Sequence, residues 1–493
     1  MSQAPAAVKT RTAGDPNLRA GTIYAGASML QKLLTLALLP IYTRILAPSA
    51  YGQLSVVLSV ATVAMFLFSF GLDTAVLRMW FKLKDDPAAR AAWVGSVGMV
   101  MGAAPIAGSC VMTLILWAIS DMPLGIPIGW MALGIIGAGL GATATFLPQA
   151  LLRAQERVKS FVTLNLILAG VNTGATLVFM LVFHWGVAGW LAGTFLSYAI
   201  CLAVAIRLVP WPTISRATFE LKSVKEALGY GLPLLPHMVS SWALQLADRI
   251  VLVGLITATS LGHYTLASNL TLPVLIIAGG FAQSSMPTFA HFGVGGQSSA
   301  ALRRLIGHLT SIICATGLAA ALLLPVGIND ALPSSYYPAA ALCGWLALGF
   351  TFAGLYLIPM NTISLIAGRT RWVWIITFTA AAVNITLLYL WVPTGGARAA
   401  AIATAIAYAL LLLGVSAYSV KLVGASLYSA AHIFGTAGVS VALFFGASVI
   451  IPDHGAVDTA LRVIWVLVSC LILAGIGGFR PPRQLSRALR GAS

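Results

Sequence analysis

The sequence predicts an all-α protein that crosses a membrane about fourteen times, and three observations carry that expectation. Of its 493 residues, 59% are hydrophobic and only 8% are charged. Soluble domains carry roughly 25% charged residues, so a water-facing surface cannot be assembled from this chain. The apolar runs are also long and continuous, unlike the ~10-residue alternation of membrane β-strands. Finally, the basic residues gather in every second connection between those runs, the pattern that fixes membrane orientation.

The runs cover 22–47, 51–79, 92–119, 127–150, 160–183, 186–209, 228–256, 261–290, 303–327, 338–366, 372–392, 398–420, 430–451 and 457–478. Each is long enough for a helix to span ~30 Å of hydrocarbon. The even-numbered connections and both tails carry the bases, for example Lys82, Lys84 and Arg90, Arg153 and Arg157, Arg303 and Arg304, and Arg480 and Arg483. The odd-numbered connections hold acids or nothing: Asp121, Asp330, Asp453 and Asp458. This alternation requires an even number of spans with both termini cytoplasmic. The first 20 residues are polar and small, and the first apolar run is too long for a signal segment and contains Lys32, so no cleavable signal is expected.

No connection is long enough for a soluble domain. The expected organisation is a cytoplasmic tail (1–21), a six-helix bundle (22–209), a cytoplasmic linker (210–227), a second six-helix bundle (228–420), two additional spans (421–478) and a basic cytoplasmic tail (479–493). The two bundles open alike. "SMLQKLLTLALLPIYTRILAPSAYGQLSVVLS" and "SSWALQLADRIVLVGLITATSLGHYTLASNL" each run from an early Ser and Gln through an apolar stretch and a small-residue turn to a Tyr-centred entry into the next span. Such repeats are common in secondary transporters, which bind substrate near the midplane between them.

The net charge of +16 is explained by the orientation of the spans, and no nucleic-acid partner is expected. The five cysteines lie inside apolar segments without a CxxC pair and read as small hydrophobes. Most tryptophans stand near span ends, Trp80, Trp93, Trp117, Trp185, Trp372 and Trp391 among them, and read as interface anchors. Trp242 lies well inside the seventh span instead. No metal site or organic cofactor is expected.

Ionisable residues inside a bilayer are costly and are functional candidates by default. Lys32 lies about ten residues into span one, roughly 15 Å along a helix and too deep for easy snorkelling. Arg249 and Asp248 lie in the outer third of span seven, and adjacent residues do not share a helix face. Asp73 and Arg78 stand on the cytoplasmic third of span two; Asp73 and Asp248 are candidates for coupling to a proton or sodium gradient, or for structural pairing. Arg44 and Arg398 lie near the outer face, where they line the cavity or merely snorkel. His237 and His308 read as satisfied core residues, and Asn165 and Asn172 share a face that bridges helices. The cations Lys32, Arg44, Arg78, Arg249 and Arg398 outnumber the two acids, and a cavity lined this way suits an anionic head group. Pro40, Pro233, Pro236 and Pro273 break corresponding spans of the two halves and let helices bend around a cavity. Gly134, Gly137 and Gly141 offer a close-packing face on span four.

"LLPIYTRILAPSAYGQLSVVLSV" (38–60) with "FGLDTAVLRMWF" (70–81) resembles the opening of the Wzx-type polysaccharide (O-antigen) flippases, members of the multidrug/oligosaccharidyl-lipid/polysaccharide (MOP) exporter superfamily. "YGLPLLPHMVSSWALQLADRIVLVGLI" (230–256) with "LGHYTLASNL" (261–270) is similar to the start of their second half. Gly52, Tyr264 and the Asp248–Arg249 pair are the most specific elements. The resemblance implies two pseudo-symmetric bundles forming a V around a central cavity. It also implies alternating access for a polyprenyl-pyrophosphate-linked oligosaccharide, with a polysaccharide polymerase and a chain-length regulator as further partners. Lys32, Arg78 and Arg249 would then meet pyrophosphate or acidic sugars, and Trp242 would stack on a sugar ring. Close relatives commonly have twelve spans, which keeps a lipid II flippase in play beside a multidrug extruder. A membrane glycosyltransferase, ligase or polymerase fits less well, because the outward loops are short and no acidic pair is placed for catalysis.

Overall fold

Backbone polar groups in hydrocarbon must be satisfied within their own segment, which favours helices throughout. The computed structural model describes residues 34, 36–118, 125–211, 219–232, 235–293, 299–424, 429–451 and 456–478, and among these there is no strand. The first half contains α1 (Leu39–Ile45), α2 (Pro48–Ser69), α3 (Leu72–Lys82), α4 (Pro87–Ala118), α5 (Ile128–Ala154), α6 (Val158–Leu181) and α7 (Gly186–Leu208). A short helix α8 (Leu221–Gly231) precedes the second half. There follow α9 (Leu235–Leu252), α10 (Ala258–Gly293), α11 (Ser299–Ala331), α12 (Ala340–Leu355), α13 (Leu357–Asn361) and α14 (Val373–Val423), then α15 (Ala430–Ile450) and α16 (Ala456–Ile476).

Eleven helical segments among the described residues are long and apolar enough to cross a membrane. One of them, α14, accounts for two expected spans: its 51 residues are interrupted at Gly396 (φ 56°, ψ −148°), where the chain reverses. Helix α9, made more polar by Gln245, Asp248 and Arg249, covers most of the seventh expected run. Span one is met at its end by α1. The protein is thus a multi-pass helical membrane protein whose helices meet each expected apolar run.

Helices α2 and α4–α7 pack on one another, as do α9–α12 with α14, while α15 and α16 lean on α11. The two groups form the pseudo-symmetric V, joined through α2, which packs against both α9 and α10. Small residues set the approach. A β-carbon at Gly134 would strike the Val57 side chain of α2, and one at Gly141 would strike the Tyr198 ring of α7 at 2.8 Å. Asn172 bridges α6 to α7 by donating to Thr194 (3.2 Å) and Ser197 (3.3 Å).

Three elements depart from the sequence reading. Span two is not one helix: Phe70 (φ 49°) and Gly71 (φ 65°) adopt left-handed backbone and divide α2 from α3. Span seven does not begin at 228, because the residues before Gly231 form the separate amphipathic helix α8, packed on α3 and α4 of the first half. Trp93 is not an interface anchor; it is buried in the core beneath α3.

Candidate functional site

At one end of the V the two halves touch backbone to backbone. A β-carbon on Gly52 of α2 would collide with the Ala258 carbonyl of α10, and one on Gly262 of α10 would collide with the Pro48 carbonyl of α2. The first turns of α2 and α10 therefore pair as a two-fold, each glycine seated on the other helix's first residue. Around this contact Tyr336 donates to the Leu46 carbonyl (2.7 Å) and Thr265 donates to Ser55 (3.0 Å). Only a residue without a side chain allows so close a crossing.

Next to this seal lies a cavity of ≈ 420 Å³ walled by both halves. It follows α2 from Tyr51 to Thr62, roughly 16 Å at 1.5 Å per residue, and α10 from Thr265 to Ile276. Leucines and Trp190 make most of the wall apolar. The hydroxyls of Ser55, Ser59 and Thr62 donate to carbonyls of their own helix at 2.7 Å, so their hydrogens are already used and their lone pairs remain.

Arg249, on α9, brings a fixed positive charge to this wall. Its Nη2 donates to Ser268 (3.3 Å) and to the Asn269 side-chain carbonyl (3.2 Å), and Asn269 in turn donates to the Tyr51 hydroxyl (2.8 Å). These bonds orient the guanidinium by neutral groups. Its Nε is buried without a partner, and among the described residues it forms no ion pair. A guanidinium offers five N–H donors in a planar fork suited to phosphate or carboxylate. None of the lining residues is acidic. The cavity presents a cation with no acidic group in its lining.

Residues 18–292, more than half of the chain, match the family model described as polysaccharide biosynthesis protein. The chain belongs to that family. No curated protein sequence matches it. Its structure is similar to that of a lipid II flippase, MurJ, in an inward closed conformation, with a TM-score of 0.70 at 13% identity over 92% of this chain and 98% of that one. It is also similar to a multidrug-resistance MATE transporter of the MOP superfamily in an inward-facing conformation (TM-score 0.65, 14% identity, 83% of this chain and 99% of that one). The outward-facing conformation gives a TM-score of 0.58 at 16% identity, over 84% and 97% of the two chains. Family and fold agree with the resemblance to Wzx-type flippases of that superfamily.

In this polysaccharide biosynthesis protein the other sequence candidates fall in several places. Asp248 is buried on the face of α9 turned into the second half, where its carboxylate accepts the Tyr264 hydroxyl and the Arg249 backbone N–H (2.7 Å). Tyr264 also lies 3.1 Å from the Thr404 hydroxyl, so this cluster ties α9, α10 and α14. Pro273 lines the cavity from α10, and Pro40 stands in the first turn of α1. Arg44 and Arg398 are exposed and do not line the cavity. Asp73 begins α3 with one carboxylate oxygen buried and unpartnered. Arg78 lies in a separate pocket against α8. Lys32 and Pro233 lie outside the described residues, as do the side chains of Pro236, His237 and Trp242.

Trp190 was not singled out by its position near a span end, yet its ring packs on Tyr42 (centroids 4.3 Å apart) and lines the cavity. Tyr51 and Asn269 were also missed. Their spacing from the glycines offered a signal: Tyr51 adjoins Gly52, and Asn269 lies seven residues after Gly262 on the same face of α10.

Proposed function

We propose that the protein flips a polyprenyl-pyrophosphate-linked oligosaccharide repeat unit across the bacterial inner membrane for assembly of O-antigen, capsule or exopolysaccharide. The observation that carries this reading is Arg249, a guanidinium that no carboxylate contacts, on an otherwise apolar and hydroxylic cavity wall shared by both halves. A charge held in a bilayer needs a partner, and a pyrophosphate supplies one with matching bidentate geometry. Lys32 on span one is assigned to the same anion. The polyprenyl chain stays in lipid while the head group enters between the halves.

With both termini cytoplasmic, the Gly52–Gly262 seal closes the periplasmic end and the cavity lies on its cytoplasmic side. At ≈ 420 Å³ the cavity has the size of a small-molecule site, so a longer glycan requires the halves to move apart. Alternating access then consists of breaking the seal and closing the α3 end. Coupling to a proton or sodium gradient is assigned to Asp248 or Asp73, and the polymerase and chain-length regulator receive the flipped unit. A multidrug extruder is the second reading within the superfamily. It fits poorly, because an exporter of cations needs carboxylates where Arg249 stands.

The test is the fate of the lipid-linked oligosaccharide in cells lacking the protein. Completed units should accumulate on the cytoplasmic leaflet while surface polymer disappears. Units reaching the periplasmic leaflet unpolymerised would instead make the protein an enzyme of assembly.

A further inference from the structure

We infer that the pocket formed by α3, α4 and α8 binds an anionic phosphate head group at the membrane surface, apart from the central cavity. The inference rests on the membrane placement of the chain and not on the identity of the transported substrate.

Helix α8 buries Ser223, Val224, Ala227 and Gly231 against α3 and α4, and exposes Leu221, Lys222, Lys225 and Tyr230. Exposed apolar and basic side chains on a short helix are what an interfacial helix presents to the boundary between acyl chains and head groups. Between α8 and its neighbours lies a pocket of ≈ 250 Å³ walled by Arg78 and Lys82 of α3, Trp93 of α4, and Glu226 and Tyr230 of α8.

Two of its donors, those of Arg78 and Trp93, lack acceptors. The Arg78 guanidinium lies over the Tyr230 ring, 4.6 Å from the centroid. A stacked guanidinium keeps its N–H groups at the edge, free to bond an anion, and among the described residues Arg78 pairs with no carboxylate. Trp93 is 4% exposed, and its indole N–H is buried with no hydrogen-bond partner. That group only donates, and leaving it unmet is unfavourable. Lys82 lies 3.5 Å from Glu226, but both side chains are about half exposed and such pairs exchange readily with water and ions. Two cations against one carboxylate leave the pocket positive.

Donors on two helices, α3 and α4, line a space with one carboxylate acceptor, already facing Lys82. A phosphate carries several strong acceptor oxygens and meets donors from several directions at once. An anionic lipid presents that group at the depth where α8 lies, beside the Arg78 and Lys82 cations of the pocket. Bound there, the phosphate would staple α8 to α3, holding the link between the halves onto the first half.

The experiment is native mass spectrometry of the full-length protein released from nanodiscs of phosphatidylglycerol and phosphatidylethanolamine. The wild type should retain one phosphatidylglycerol that the double variant Arg78→Gln/Lys82→Gln retains about tenfold less. Trp93→Phe, which keeps the ring and removes the N–H, should weaken retention severalfold without loss of folded protein. Lys222→Gln/Lys225→Gln, which alters bases of α8 outside the pocket, should retain the lipid as the wild type does. Displacement of the lipid by excess inorganic phosphate, absent in the Arg78/Lys82 variant, would place a free phosphate in the same site. Equal retention by all variants, or equal loss in the Lys222/Lys225 control, would overturn the inference.

Discussion

The two ends of α2 meet their neighbours in opposite ways. At its start, Gly52 rests on α10 of the second half, backbone against backbone, with Thr265–Ser55 and Tyr336–Leu46 hydrogen bonds around it. Just past its far end, Gly71 also crosses Gly231 backbone to backbone, though less closely, yet Gly231 belongs to α8, which packs on the first half. Thus one end joins the halves directly, while the other joins the first half to its own linker. A transporter that opens alternately needs a joint that can separate and a joint that stays with its bundle. The first contact has the position of the former and the second that of the latter.

The largest expected effect comes from breaking the Gly52 contact. Gly52→Val or Gly262→Val forces side-chain carbons into a backbone carbonyl, overpacking worth about 1–3 kcal/mol or more, in the sealed state only. Transport should be lost while the protein still inserts. A cysteine at Ser55 should become accessible to a membrane-impermeant thiol reagent from the sealed side. Gly71→Ala sharpens the comparison: its φ of 65° makes the change cost about 1–2 kcal/mol, read as a lower melting temperature, with Ser55→Cys still protected from that side.

Next in size is Arg249→Ala, which should reduce transport about tenfold or more, since hydrogen bonds to a charged group are worth about 1.5–3 kcal/mol each. Arg249→Lys should keep part of the activity, because it retains the charge and loses the fork. Asn269→Leu removes the acceptor that orients Arg249 and the donor to Tyr51, and should cost roughly fivefold in transport, about one neutral hydrogen bond. The smallest effect is expected for Glu226→Ala. Its pair with Lys82 is half exposed, and its loss should shift thermal stability by under about 1 kcal/mol.

Hydropathy and the alternation of charge made the spans legible because the bilayer imposes both directly. The breaks were less legible. Phe70 and Gly71 sit inside a continuous apolar run, and nothing in hydropathy distinguishes a left-handed pair there from ordinary helix. Only the last turn of α8, residues 228–231, falls into the expected span seven, because "EALGYGLPLLP" turns apolar before the helix ends. Trp93 and Trp190 share the sequence context of interface anchors, and only packing puts one beneath α3 and the other on the cavity wall. The self-similar openings of the halves did contain the seal: Gly52 and Gly262 occupy matching places, though the pairing of each with the other's helix start is a three-dimensional fact. Of the charged candidates, Arg249 was legible and lines the cavity, whereas Arg44 and Arg398 stand outside it. Depth along a span says nothing about which way a side chain faces.

The most direct test of the account is flipping by the purified protein in vesicles loaded with labelled polyprenyl-pyrophosphate oligosaccharide. The reading is exposure of the label to an impermeant enzyme over time. The account predicts rapid exposure with the wild type, partial exposure with Arg249→Lys, and the rate of protein-free vesicles with Arg249→Ala and Gly52→Val. Equal flipping by wild type and Arg249→Ala, or no flipping by the wild type while a cationic dye is carried, would contradict it.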